Sequence, residues 1–247
     1  RFAHVDADTV HDVIAEAGRM IAEVVAPTNR DGDTIGSQWQ PDQTVVTPPS
    51  FKKAYRAWVD SGFGAMPFDP DYGGAGFPWV AGLAVQELLT SANMALSLCP
   101  LLTQGAIDAI HEHGSDEQKA TYLPKMLTGE WTGTMNLTEP QAGSDVGAVT
   151  TKAEPDAEAA AQWGPGAYRI TGQKIFITWG EQDFTDNIVH LVLARTPGSP
   201  PGTKGITMFL VPKFLLNADG SLGDRNSAHC VSIEHKLGIH GSPTCVM

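Results

Sequence analysis

The sequence predicts an α+β chain, with a helical N-terminal half followed by antiparallel β-structure folded as a barrel or sandwich. Three observations carry this. Val10, Val13, Ile14, Ala17, Ile21, Val24 and Val25 recur at three- and four-residue steps, the period of one helix face. Ser115 followed by Asp116-Glu117-Gln118 has the form of a capping box at a helix start. After Gly129 the period changes to two, as in "AYRITGQKIFIT" from Ala167 to Thr178. The boundary is expected near residue 130, which gives a helical domain over residues 1–130 and a β domain over 131–247.

Taken in order, the first helix stops at Pro27. Residues 30–50 are polar and rich in Asp, Gln, Thr and Pro, the composition of a long loop. Phe51 to Ser61 reads as a second helix ended by Gly62. "PFDPDYGGAGFP" (Pro67 to Pro78) is a loop by its prolines, glycines and aspartates. Ala81 to Leu98 carries few charges, so it predicts a helix buried on several sides. Ile107 and Ile110 mark another. The capped helix is kinked or restarted at Pro124 and stops near Gly129. "WTGTMNL" then begins as a strand, breaks at Glu139-Pro140, and ends in Ala142-Gly143-Ser144-Asp145. Thr171-Gly172 has the form of a hairpin turn. "NIVHLVLART" and "GITMFLV" are two further strands, and "CVSIEHKLGI" another. Glu154 to Gly166 has the composition of an insertion at a hairpin tip. There is no internal repeat.

Composition limits the function classes. Lys plus Arg is 16 and Asp plus Glu is 28, a net charge of −12, which argues against non-specific binding to nucleic acid or anionic membranes. Cys99, Cys230 and Cys245 are odd in number and lack metal-ligand spacing, as expected of a reduced, cytoplasmic protein. Apolar runs are too short to span a bilayer. No signal-peptide pattern is visible, and a start at Arg1 instead of Met leaves a removed leader open.

Two stretches carry possible chemistry. In "LTEPQAGSD", Gly143 and Ser144 can turn two backbone N–H groups toward one point, a nest suited to phosphate. Leu137-Thr138 can present a backbone edge and a hydroxyl to a flat heterocycle. On spacing alone a plain turn is the commoner outcome. The stretch is neither a G-x-G-x-x-G fingerprint nor a G-x-S-x-G elbow. In "KIFITWG", strand alternation puts Phe176 and Thr178 on one face and Ile177 on the other. An aromatic beside a hydroxyl suits a flat ligand, although an ordinary strand has the same pattern. His111 and His113 point apart on a helix, so no metal site is expected. His235 and His240 lack evident partners, and Glu87 is expected on a polar seam.

Together and in order, "PFDPDYGGAG", "HGSDEQKATYLPKMLTGE", "MNLTEPQAGSD", "YRITGQKIFITWG" and "IEHKLGIHGSPT" resemble the successive signatures of the acyl-CoA dehydrogenase family, from about Gly62 to Met247. The resemblance implies FAD held between the β domain, the family's middle domain, and a C-terminal helical bundle that this sequence lacks. It implies that Met135, Leu137 and Thr138 line the isoalloxazine, that Gly143 and Ser144 hold the pyrophosphate, that Phe176 stacks near the ring and that Thr178 donates to flavin N5. Ser144 would also approach the acyl-CoA. The implied reaction is α,β-dehydrogenation of an acyl-CoA thioester by a homodimer or higher oligomer, with electrons passing to an electron-transfer flavoprotein. The family's catalytic glutamate belongs to the C-terminal bundle, so no catalytic residue is assigned, and Glu139 and Glu181 are not taken in its place. These 247 residues alone are expected to bind FAD weakly and to be inactive. An acyl-CoA oxidase is the alternative enzyme, and a non-catalytic, DNA-alkylation-response-like flavin-binding protein the alternative outside enzymes. Phe176, Trp179 and His240 stand where many members have Trp, Asn and Arg. These departures and the long "PKFLLNADGSLGDRN" resemble the larger bacterial subgroup of 3-methylmercaptopropionyl-CoA and broad-range fatty acyl-CoA dehydrogenases.

Overall fold

The computed structural model describes residue 2, residues 4–163 and residues 166–247. The helices come first. α1 (Ala7–Met20) starts where the Asp6 carboxylate accepts from Thr9 N at 2.7 Å. Its buried face continues through a π-helical turn, Ile21–Val25, which ends just before Pro27. Residues 30–50 are not one loop. They hold α2 (Thr28–Ile35) and a small hairpin of β1 (Gln38–Trp39) and β2 (Val45–Val46). Tertiary contacts override the polar composition there. Gly32 packs against the buried Phe51 ring, and the buried Thr28 hydroxyl accepts from Asn93 Nδ2 at 2.9 Å.

α3 (Pro49–Ser61) ends at Gly62, as its sequence predicts. The helix expected from Ala81 to Leu98 is two helices, α4 (Trp79–Ala92) and α5 (Met94–His113). Asn93 divides them. Its backbone is extended (φ −154°, ψ 93°), and its side chain accepts from Leu96 N, capping α5. α5 then runs through Pro100 and takes in Ile107 and Ile110. α6 (Asp116–Leu127) has both capping-box bonds and continues through Pro124. His111 lies beside Asp69 at 3.3 Å and edge-on to Tyr72, and the described residues hold no cluster suited to a metal. Glu87 is exposed.

The second half runs β3 (Trp131–Asn136), β4 (Lys152–Pro155), α7 (Ala157–Trp163), β5 (Tyr168–Thr171), β6 (Ile177–Thr178), β7 (Asn187–Ala194), β8 (Thr207–Pro212), β9 (Phe214–Leu216), β10 (Leu222–Arg225), β11 (Ser232–Glu234) and β12 (Thr244–Val246). Among the described residues the named strands pair antiparallel except β3 and β7, which are parallel over six residues, and an isolated parallel bridge joins Lys152 to Arg195. The intervening β4, β5 and β6 supply the long crossover that a parallel pair requires. β4 and β5 form the hairpin expected around the Glu154–Gly166 insertion, but α7 sits at its tip. Gly164 and Pro165 of that insertion lie outside the described residues.

Thr171-Gly172 is not a hairpin turn. β5 pairs with β4, while β6 pairs with β12. A Cβ at Gly172 would collide with the Thr151 hydroxyl, so close approach requires this glycine, not a turn. Gly133 of β3 is required in the same way. A Cβ there would lie 2.5 Å from Ala106 Cβ and 2.8 Å from Met126 Cε, where α5 and α6 cover the strand.

Buried residues of both halves form the core. Trp179, from the β half, packs in the helical cluster with Phe51, Tyr55, Trp58 and Leu96. A second cluster joins Ile107, Ile110 and Met126 to Trp131, Val189 and Leu191. His190 on β7 is fully buried. Burial, with Lys213 and Arg225 nearby, lowers its pKa from 6.5 to about 3. An unfolded chain therefore binds a proton between those values that the native chain excludes, so this residue makes stability fall as pH drops below 6.5. From pH 6.5 to pH 5 the loss is about 1–2 kcal/mol. Urea unfolding at several pH values should show that slope, and His190→Gln should lack it. Among the described residues, no helix is long and apolar enough to cross a membrane.

Candidate functional site

The end of β3 and the segment Lys174–Gly180 lie side by side. Ile175 N donates to Thr138 O at 2.9 Å, and Thr134 Oγ1 donates to Thr178 O at 2.6 Å. On the far side β6 is held by β12, with Thr178 opposite Thr244. The two stretches singled out from sequence thus share one place, although about 35 residues separate them.

Buried electrostatics fasten them. Lys174 Nζ lies 2.9 Å from Glu139 Oε1 and donates to Leu137 O at 3.0 Å. The two side chains are 4% and 2% exposed. Glu139 also accepts from the backbone N–H and hydroxyl of both Thr150 and Thr151. Burial alone would raise the Glu139 carboxyl pKa. The bonds from Thr151, Thr150 and Lys174 outweigh it and hold the group well below the usual carboxylate range. Burial pulls Lys174 below the usual lysine range, against the opposing effect of Glu139. Glu181 is 1% exposed and paired with Lys213 and with Arg225 at 3.0 Å. Both carboxylates are thus committed to ion pairs.

Beyond Glu139 the chain reverses tightly. Glu139 N donates to Ala142 O at 3.1 Å and Ala142 N to Glu139 O at 3.0 Å. Gly143 and Ser144 emerge exposed from this turn. The Gly143 Cβ position lies 4.0 Å from Thr138 Cγ2, so glycine and threonine are neighbours. Arg195 secures the loop that follows, donating to Val149 O at 2.7 Å, Gly147 O at 2.6 Å and Gly202 O at 2.9 Å.

The seven residues singled out from sequence divide as follows. Met135 lies on β3, half-buried against the second core cluster. Leu137 and Thr138 follow it, also half-buried, and Thr178 lies on β6, beside Thr134 of β3. Gly143 stands beside Thr138, and Ser144 follows it, exposed. Phe176 is 46% exposed, and it is not on a strand. Its φ of 58° is left-handed, as is that of Trp179 at 56°. Strict alternation through "KIFITWG" therefore fails, because only Ile177 and Thr178 are paired as β. Such backbone in bulky residues costs of order 1–3 kcal/mol each and persists only where surroundings impose it.

Several donors here have no internal use. Among the described residues, the hydroxyls of Thr138, Ser144 and Thr178 take no protein partner, and neither do the backbone N–H groups of Gly143 and Ser144. A set of free donors beside an exposed aromatic suits a flat, hydrogen-bonding, anionic ligand. Sequence reasoning missed Lys174, Arg195 and Trp179. They act through partners tens of residues away, and nothing local marks them.

Residues 9–130 match the N-terminal domain of acyl-CoA dehydrogenases, and residues 134–247 match the middle domain. The chain belongs to the acyl-CoA dehydrogenase family. It is 48% identical to 3-methylmercaptopropionyl-CoA dehydrogenase from Ruegeria pomeroyi over 100% of its own length and 40% of the relative's. It is 38% identical to a broad-specificity linear acyl-CoA dehydrogenase from Mycobacterium tuberculosis, over 99% of the chain and 39% of the relative. Its fold superimposes on an acyl-CoA dehydrogenase from Bacillus anthracis complexed with FAD, with TM-score 0.74, 22% identity, and coverage of 99% of this chain and 35% of that one. The chain thus spans about two fifths of the length of these curated acyl-CoA dehydrogenases.

Proposed function

We propose that this chain is the helical and middle β portion of an FAD-dependent enzyme that oxidises acyl-CoA thioesters to 2-enoyl-CoA. The observation that carries the reading is that Thr138 neighbours Gly143 and, through the Ile175 N–H, the segment bearing Phe176 and Thr178, with the hydroxyls of Thr138, Ser144 and Thr178 free among the described residues. Bound FAD would supply the hydride acceptor. Leu137 and Met135 would line its ring, and the Thr138 hydroxyl would meet the pyrimidine edge. Gly143 and Ser144 would offer N–H groups to the pyrophosphate, with Ser144 also near the acyl-CoA. Phe176 would stack, and the Thr178 hydroxyl would donate to flavin N5. A fixed donor aimed where electron density accumulates favours reduction. No residue of this chain is assigned as the base. Glu139 and Glu181 are locked in ion pairs, which supports a base supplied from elsewhere in the protein.

The same reading divides the chain near residue 130, and the two matched ranges support this. Membership of the family supports an electron-transfer flavoprotein as electron acceptor, a homodimer or larger assembly, and a place in acyl-CoA catabolism in the cytoplasm. The test is anaerobic mixing of the flavin-loaded full-length enzyme, including the portion that supplies the base, with saturated acyl-CoAs while the flavin absorbance is followed. Bleaching by one of them, with slow reoxidation in air, is expected. Fast reoxidation would mark an oxidase, and no bleaching by any acyl-CoA would overturn the reading. Thr178→Val should slow bleaching about tenfold, the worth of one hydrogen bond to the reacting ring.

A further inference from the structure

Lys236 lies on the loop between β11 and β12. Its Nζ is 4.1 Å from the centroid of the Phe176 ring, over the ring face. Among the described residues its ammonium has no carboxylate partner. The loop holds it firmly. Ile239 N donates to Lys236 O at 3.2 Å across Gly238, whose φ is 77°. Ser37 then pins the next residues, its N donating to His240 O at 2.9 Å and its Oγ to Gly241 O at 2.8 Å. The His235 and His240 rings also meet edge-on, 5.9 Å apart. A braced lysine is thus set over an exposed aromatic whose own backbone is strained.

We propose that Lys236 is a positioning residue that holds the Phe176 ring and raises the reduction potential of a flavin stacked beside it. This rests on the flavin reading of Phe176 given above. A cation over an aromatic face is attracted by its quadrupole, which restrains a ring that the left-handed backbone alone would leave poorly fixed. The same charge favours the electron-rich, reduced form of a neighbouring ring system. Lys236 acts through Phe176, whose ring it covers.

The test uses the flavin-loaded protein and the variants Lys236→Gln, Lys236→Arg and Phe176→Leu. The midpoint potential is measured against a reference dye, and the visible flavin bands are recorded. Lys236→Gln should shift the equilibrium about tenfold toward oxidised flavin, a fall of ~30 mV for a two-electron couple. Lys236→Arg, which keeps the charge and the ring contact, should hold the wild-type value. An unchanged potential in Lys236→Gln, or an equal fall in Lys236→Arg, overturns the proposal. In those cases the flavin bands of Phe176→Leu still report on the site, and a changed spectrum leaves the flavin reading standing. An unchanged spectrum in Phe176→Leu places the flavin elsewhere and removes both. Circular dichroism and Tm of each variant separate these outcomes from misfolding.

Discussion

Lys174→Met should destabilise the chain by about 3–5 kcal/mol, because it strands the Glu139 carboxylate in the interior without its cation. The 2.9 Å pair is almost fully buried, and Lys174 also bonds the Leu137 carbonyl. The loss should be read from urea midpoints with an unchanged m-value. Glu139→Gln should cost less, because an amide oxygen can still accept from the Thr150 and Thr151 donors. The double variant Lys174→Met/Glu139→Gln should be less destabilised than the sum of the two, whereas strict additivity would show that the pair does not couple. The pH dependence has a definite sign. The wild-type carboxyl has a depressed pKa, so its contribution is full above the ordinary carboxylate range and is lost progressively as pH falls from that range to the depressed folded value. Without Lys174 the carboxyl protonates more readily, so the gap between variant and wild type should narrow toward acid pH. Because the pair also ties the end of β3 to residues 174–178, flavin affinity should drop with it.

Trp179→Ala should cost a further large amount, about 3–5 kcal/mol, for removing a buried aromatic. Trp179 is 1% exposed, packs against Phe51 at 6.3 Å and Phe184 at 5.2 Å between centroids, and donates from Nε1 to Ala95 O at 3.1 Å. It is a fully buried member of the helical core contributed by the β half, with the partly buried Phe184 and Ile239 packed against that core. Its φ of 56° gives a sharper comparison. At most positions glycine is worse than alanine, but here only glycine adopts the backbone without strain. Trp179→Gly should therefore be at least as stable as Trp179→Ala, both measured by denaturant unfolding. A clearly less stable glycine variant would mean that the backbone relaxes once the indole is gone. Thr178 precedes this residue, so either substitution should also weaken any ligand bound at its hydroxyl.

These two residues mark the limit of what could be read from sequence. Helix periodicity, the Ser115 cap, the Gly62 stop and the change to period two after Gly129 are local signals. Each depends on groups within about four residues, so each was legible. The order of the motifs was legible too, and with it the family and the residues expected around a flavin. The tertiary structure alone decided the rest. Asn93 splits a helix because its side chain both caps α5 and reaches Thr28, 65 positions away. Gly172 looks like a turn but is small to make room for Thr151. β3 pairs parallel with β7 although the strands between them pair antiparallel. Glu139, not taken as a base, fastens the two stretches of the candidate site because Lys174 and two threonines surround it. Such choices depend on buried partners brought together by folding. Their energies, a few kcal/mol each, exceed the local preferences that a sequence displays.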